Sequence, residues 1–142
     1  MNSSDATNPA TGDPGETMEM VPERFGVVFQ VAKELPNVSD QVVESQGCTR
    51  GDADELLGIF RLVRAAIREG ATRVRFRPVS RSGEERVLAD RAVVEVVAAR
   101  DDRVKWCRML EAVCASLGPE ELYLRSGYRE AEVREAIGSL VQ

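Results

Sequence analysis

Nine arginines fall within residues 61–91, and their spacing is the clearest chemical pattern in this chain of 142 residues. A guanidinium is a flat fork of five N–H donors that stays charged at every physiological pH, so it recognises carboxylates and phosphates but neither takes up nor releases a proton. In Thr72-Arg-Val-Arg-Phe-Arg-Pro-Val79 the arginines alternate with apolar residues. An extended segment puts Arg73, Arg75 and Arg77 on one face and Val74 and Phe76 on the other. Upstream, Arg61, Arg64 and Arg68 fall within about 60° of one another on a helical wheel and form a ridge. Arg81 and Arg86 follow in the turn and the returning segment. The charge is unevenly spread. Residues 1–60 carry three basic and eleven acidic side chains (−8), residues 61–91 nine and four (+5), and residues 92–142 seven and nine (−2), within a total of −5. An acidic chain of this kind presents a local positive patch, and the chemistry expected of it is anion docking.

Other chemistries lack their residues. With no histidine, the imidazole proton shuttle of serine and cysteine nucleophile sites is missing, as are all histidine-containing zinc sites. Cys48, Cys107 and Cys114 form no C-x-x-C pair and read as small buried hydrophobes. Lys33 and Lys105 stand alone, Glu84-Glu85 falls at a hairpin tip, and the eleven glycines are scattered as turn and cap residues. Arg50-Gly-Asp52 spells an adhesion tripeptide, but Asp52 is better explained as a helix cap. A non-catalytic protein without cofactor or metal is therefore expected. The longest uncharged, mostly apolar run, Phe25 to Ala32, is too short to span a bilayer, and no signal-peptide pattern opens the chain. No membrane insertion and a cytoplasmic or nuclear location are the matching expectations.

The elements that position these arginines follow from periodicity. Residues 1–20 are polar and read as a disordered tail; residues 21–142 read as one compact domain divisible at 90/91. Val21, Phe25, Val28, Phe29, Ala32 and Leu35 have helical spacing between Pro22 and Pro36, although the β-branched run Phe25–Val31 would also suit a buried strand. A short turn capped by Ser39 follows. The strongest helix starts at Asp52, with Glu55 completing a capping box, buries Leu56, Ile59, Phe60, Val63, Ala66 and Ile67, and stops at Gly70. Next comes a β-hairpin of Thr72–Val79 and Glu84–Asp90, with Phe76 opposite Val87 and Val74 opposite Ala89; its outer face carries Arg73, Arg75, Arg77, Arg86, Leu88 and Asp90. Residues 92–99 form a third strand or a helix start. A helix capped by Asp101 or Asp102 then runs to a break at Gly118-Pro119, and further helices cover 120–125 and 129–141. The fold class is α+β, mostly helical with one hairpin.

The segment Gly118–Leu140, with Leu122, Gly127, Val133, Ile137 and Leu140 in register, resembles the helix-turn-helix of the winged-helix superfamily. The helix, glycine and charged hairpin of Asp52–Asp90 are similar to that superfamily's recognition helix and wing. The resemblance implies nucleic-acid binding or protein assembly. Carboxylates open both candidate recognition helices, at Asp52-Ala-Asp-Glu55 and Arg129-Glu-Ala-Glu132, and they oppose a phosphate backbone. The leading expectation is thus an adaptor or assembly subunit docking an acidic protein on Arg73, Arg75, Arg77, Arg81 and Arg86, with the Arg61, Arg64 and Arg68 ridge beside them. A winged-helix nucleic-acid-binding regulator is the alternative.

Overall fold

The computed structural model describes residues 17–78 and 85–142. The class is α+β and mostly helical. Strand β1 (Met18–Met20) leads into α1 (Pro22–Ala32), a 3-10 turn (Leu35–Asn37), α2 (Asp40–Glu44) and α3 (Arg50–Arg68). Strands β2 (Arg73–Arg77), β3 (Val87–Asp90) and β4 (Val93–Val97) follow, then α4 (Arg100–Ser126), α5 (Glu130–Gly138) and a final 3-10 turn (Ser139–Val141).

Helical spacing prevails over β propensity in α1. Pro22 occupies its first turn, and Phe25, Val28, Phe29, Val31 and Ala32 are all buried. Burial on several sides explains the β-branched run: this helix is surrounded by its neighbours, so tertiary packing overrides local preference. Ser39 caps α2 as expected, its hydroxyl accepting the Val42 N–H. The start of α3 lies three residues earlier than the sequence suggests. Thr49 is the N-cap, and it exchanges bonds with Asp52, whose carboxylate accepts the Thr49 N–H at 2.8 Å. Asp102 likewise accepts from Ala99, and Glu132 from Arg129. In each case the acid sits three residues into the helix and the capped residue precedes it, so an acid read as an N-cap belongs one turn further in. The break in α4 falls where expected, at Gly118 with φ of 83°, and the helix resumes directly at Pro119.

The sheet corrects two expectations. Its order is β1-β2-β4-β3. β2 and β3 are not partners; β4 lies between them, parallel to β2 (Arg73↔Val93 to Arg77↔Val97) and antiparallel to β3 (Val87↔Val96 to Asp90↔Val93). The hairpin of this sheet is therefore β3–β4, closed at Arg91, which has φ of 56°. Val93-Val-Glu-Val-Val97 is the most apolar strand, and the centre is the position where both of its edges are hydrogen-bonded and its inner face is covered. The second correction concerns the expected tail. Met18–Met20 is a strand, pairing antiparallel with β2 as Met18↔Phe76, Glu19↔Arg75 and Met20↔Val74. The rest of that expectation, residues 1–16, lies outside the described residues.

One core cluster runs from Met20 to Leu140 and draws on both halves of the chain. Phe60 of α3 is at its centre, 4.9 Å from Phe25 of α1 and 5.7 Å edge-on from Trp106 of α4 (ring-centroid distances). Val74, Phe76, Val94 and Val96 enter the same cluster, so the helices cover one face of the sheet. The other face is the one that carries the strand arginines.

Candidate functional site

Arg73, Arg75 and Arg77 do share the outer face, as period two requires, but they are not bare cations. Glu19 of β1 takes Arg73 in a fork (Nε 3.1 Å, Nη2 2.9 Å) and accepts from Arg75 Nε at 2.9 Å. Arg75 also reaches Glu95 of β4 at 3.1 Å, and Arg77 lies 3.5 Å from the same carboxylate. The result is a ladder of alternating charge across three strands. Among the described residues two glutamates offset three arginines, and Asp90 adds a further negative charge on the same face. The hydrogen bonds from Arg73 and then Arg75 lower the Glu19 carboxyl from its ordinary 4.5 to about 2.

Glu19 does not stand out in the sequence because it lies in a segment that reads as tail. Its signal is small but present: Met18-Glu19-Met20 is the first alternation of apolar and charged residues after a polar leader. Glu95 is the lone polar residue in an apolar strand, a sign of a cross-strand partner. The depressed Glu19 value gives a signed prediction. A carboxyl with a lowered folded pKa adds stability above its unfolded value and loses it as pH falls through the folded value, here between about 4.5 and about 2. Glu19 is 40% exposed, which limits the contribution to about 1 kcal/mol or less. Glu19→Gln is expected to lower the melting temperature slightly at neutral pH and to flatten the acid limb of a thermal melt; an unchanged acid limb would separate β1 docking from this ion pair.

The other candidates divide. Arg86 is turned towards the helices: its Nε donates to the Val97 carbonyl at 2.8 Å, and its guanidinium lies 3.4 Å from Glu55 and 3.8 Å from Asp102. Arg81 lies outside the described residues. Arg64 is half-buried with its guanidinium 4.9 Å from the Phe29 ring centroid, a cation–π contact. Arg61 and Arg68 are exposed and have no ion pair or side-chain hydrogen bond among the described residues. Sequence explains why. The residues three and four away from Arg61 are Leu57, Gly58, Arg64 and Ala65, and those around Arg68 are Arg64, Ala65, Ala71 and Thr72. No acid occupies a helical neighbour position, and the arginine neighbours repel by a few tenths of a kcal/mol per pair. Leu62, 58% exposed, and exposed Ala65 adjoin them on the solvent side of α3.

The strand row and the helix ridge do not merge. α3 packs on the inner face with Val74 and Phe76, and Arg73, Arg75 and Arg77 point to the opposite side of the sheet. The remaining chemistry is structural. Arg50 is consumed by Asp40 at 2.9 Å and by the carbonyls of Leu35 and Val38; Asp52 caps α3 and lies 3.6 Å from Lys105, so the tripeptide serves the fold. Burial raises all three cysteine thiols, Cys114 to about 11, which suppresses the reactive thiolate. Among the described residues no three His, Cys, Asp or Glu side chains cluster as metal ligands, and no helix is long and apolar enough to cross a membrane. No family model, curated protein or solved structure matches the chain.

Proposed function

We propose that the protein is a non-catalytic interaction module that docks an acidic protein segment, with the α3 ridge as its cationic anchor. One observation carries this reading: Arg61 and Arg68 are exposed beside Leu62 and Ala65 with no carboxylate partner among the described residues, whereas Arg73, Arg75, Arg77 and Arg86 each already face one or two acids. A bound carboxylate at Arg61 or Arg68 gains a partner without displacing one. At the strand ladder it must compete with Glu19 or Glu95 for donors already aligned on them. An amphipathic helix with acids flanking an apolar residue fits the ridge, its apolar side chain on Leu62 and Ala65 and its carboxylates on the two guanidinia. The ladder then serves to lock β1, β2 and β4 together, and the helix-start acids Asp52 and Glu132 are held as caps.

The test is a fluorescence titration with an acidic amphipathic helical peptide and, separately, with a short DNA duplex at low salt. The peptide is expected to bind, and Arg61→Glu with Arg68→Glu to weaken it by about tenfold or more. Glu19→Gln, which touches only the ladder, should leave the affinity unchanged. Duplex binding with a steep salt dependence would favour the nucleic-acid alternative instead. Peptide binding insensitive to the ridge substitutions would overturn the site.

A further inference from the structure

β3 is a sheet edge whose outward main-chain groups can be identified. The Val97 N–H donates to the Arg86 carbonyl at 2.8 Å, so Arg86 belongs to a hydrogen-bonded pair with β4. Antiparallel ladders alternate, so Leu88 and Asp90 also turn their N–H and C=O groups inwards to β4. Val87 and Ala89 must turn theirs away, to the side where no strand follows among the described residues. Neither has a hydrogen bond there among the described residues. Edges of this kind are ordinarily guarded by shortness, charged side chains, proline or a bulge, and β3, four residues long with Asp90 at its end, has only the first two. Val87-Leu88-Ala89-Asp90 has neither lysine nor proline, and its register against β4 is unbroken.

We propose that this edge pairs antiparallel with β3 of a second copy of the chain, about a two-fold axis at Leu88, joining two four-stranded sheets into one. In that register Val87 faces the partner's Ala89 and Ala89 faces the partner's Val87. Both are hydrogen-bonded pairs, so their outward groups close four N–H···O=C bonds. Leu88, half-buried on the outer face, meets the partner's Leu88 as the close, non-hydrogen-bonded pair. Arg86 lies opposite the partner's Asp90, and Asp90 opposite the partner's Arg86. The segment Arg86-Val-Leu-Ala-Asp90 is thus complementary to itself when reversed: plus against minus at both ends, leucine on leucine in the middle. A slip of two residues either way sets a charge against Leu88 instead. Asp90 is exposed and holds no ion pair among the described residues, whereas Arg86, whose Nε donates to the Val97 carbonyl, also lies 3.4 Å from Glu55 and 3.8 Å from Asp102, so the partner's Asp90 shares its guanidinium with those acids.

Two measurements test this on the full chain. Sedimentation from about 1 µM to about 1 mM, the range in which a short edge contact dissociates, is expected to show a monomer–dimer equilibrium that Asp90→Lys weakens by about tenfold. Mild oxidation of Leu88→Cys should give a covalent dimer, because the facing Cα atoms of a non-hydrogen-bonded pair lie about 4.5 Å apart, within disulfide reach. Val87→Cys and Ala89→Cys, whose facing residues are not cysteine, should cross-link about tenfold more slowly, and the native chain with its raised thiols less still. A wild-type chain monomeric throughout would overturn the proposal. So would a dimer in which Ala89→Cys cross-links as fast as Leu88→Cys, since that places the contact elsewhere. Leu88 lies on the face away from the core, so its replacement leaves the fold in place, and the wild-type sedimentation result stands without any variant.

Discussion

Phe60→Ala is expected to destabilise the fold by about 3–5 kcal/mol, the range found when a large aromatic is removed from a packed core. Phe60 is fully buried, and its ring lies between Phe25 of α1 and Trp106 of α4. Truncation therefore opens a void where three helices meet. The tilted contact with Phe25, at 56°, and the edge-on contact with Trp106, at 84°, are both geometries that aromatic pairs favour. The hole cannot collapse easily, because α1, α3 and α4 are each also fixed by other contacts. A domain of this size has a total stability of about 5–15 kcal/mol, so the loss is a large part of it. The melting temperature should fall by roughly 10 °C or more, with Trp106 fluorescence as a local reporter. A drop of only a degree or two would mean that the helices close around the void and that the aromatic cluster is not the organising contact.

Arg103→Ala should rank second, at about 3–4 kcal/mol. Arg103 is an arginine on the buried stripe of α4, in line with Trp106, Leu110 and Val113, and is only 2% exposed. Its Nη1 donates to the Leu140 carbonyl at 2.7 Å and lies 3.3 Å from Met18 Sδ. One side chain thus ties the first strand, the longest helix and the final turn together. Two exposed-end arginines act on the same turn, Arg100 donating to the Val141 carbonyl at 2.7 Å and Arg24 to the Ser139 hydroxyl at 2.8 Å. Alanine leaves a cavity and strands a buried carbonyl. Methionine keeps most of the volume and strands only the carbonyl, so Arg103→Met should cost less, about 1–2 kcal/mol. Denaturant unfolding of both variants separates the two contributions. An Arg103→Met protein more stable than the wild type would show that desolvating the charge outweighs its bonds.

The two arginine groups illustrate how position changes the meaning of a charge. By composition, the strand row and the helix ridge look alike. In the fold the row is compensated by Glu19 and Glu95 from neighbouring strands, and among the described residues Arg61 and Arg68 on the ridge are not compensated. A binding site for an anion is where positive charge is left over. That remainder is visible on the helix from sequence, because helical neighbours are three and four residues away and none of them is acidic. On the strand it depends on which strands lie alongside.

The Gly118-Pro119 pair marks the break in α4, and the run Phe25–Val31 suits helix and strand alike; periodicity alone determined the α+β class, the buried stripe of α3 and the face on which each strand residue lies. These are consequences of 3.6- and 2-residue repeats, which local sequence records directly. It puts Arg73, Arg75 and Arg77 on one side and Val74 and Phe76 on the other whichever strand pairs with β2, because a strand's faces do not depend on its neighbour. Strand order, the insertion of β4, the recruitment of Met18–Met20 and the neutralisation of the arginine row were decided only by tertiary structure. Each couples residues some 20 to 60 positions apart, as Arg75 is coupled to Glu95 and to Glu19. The choice among such pairings depends on which arrangement buries the most apolar strand and closes the most main-chain bonds across the whole sheet. No window of sequence contains that comparison.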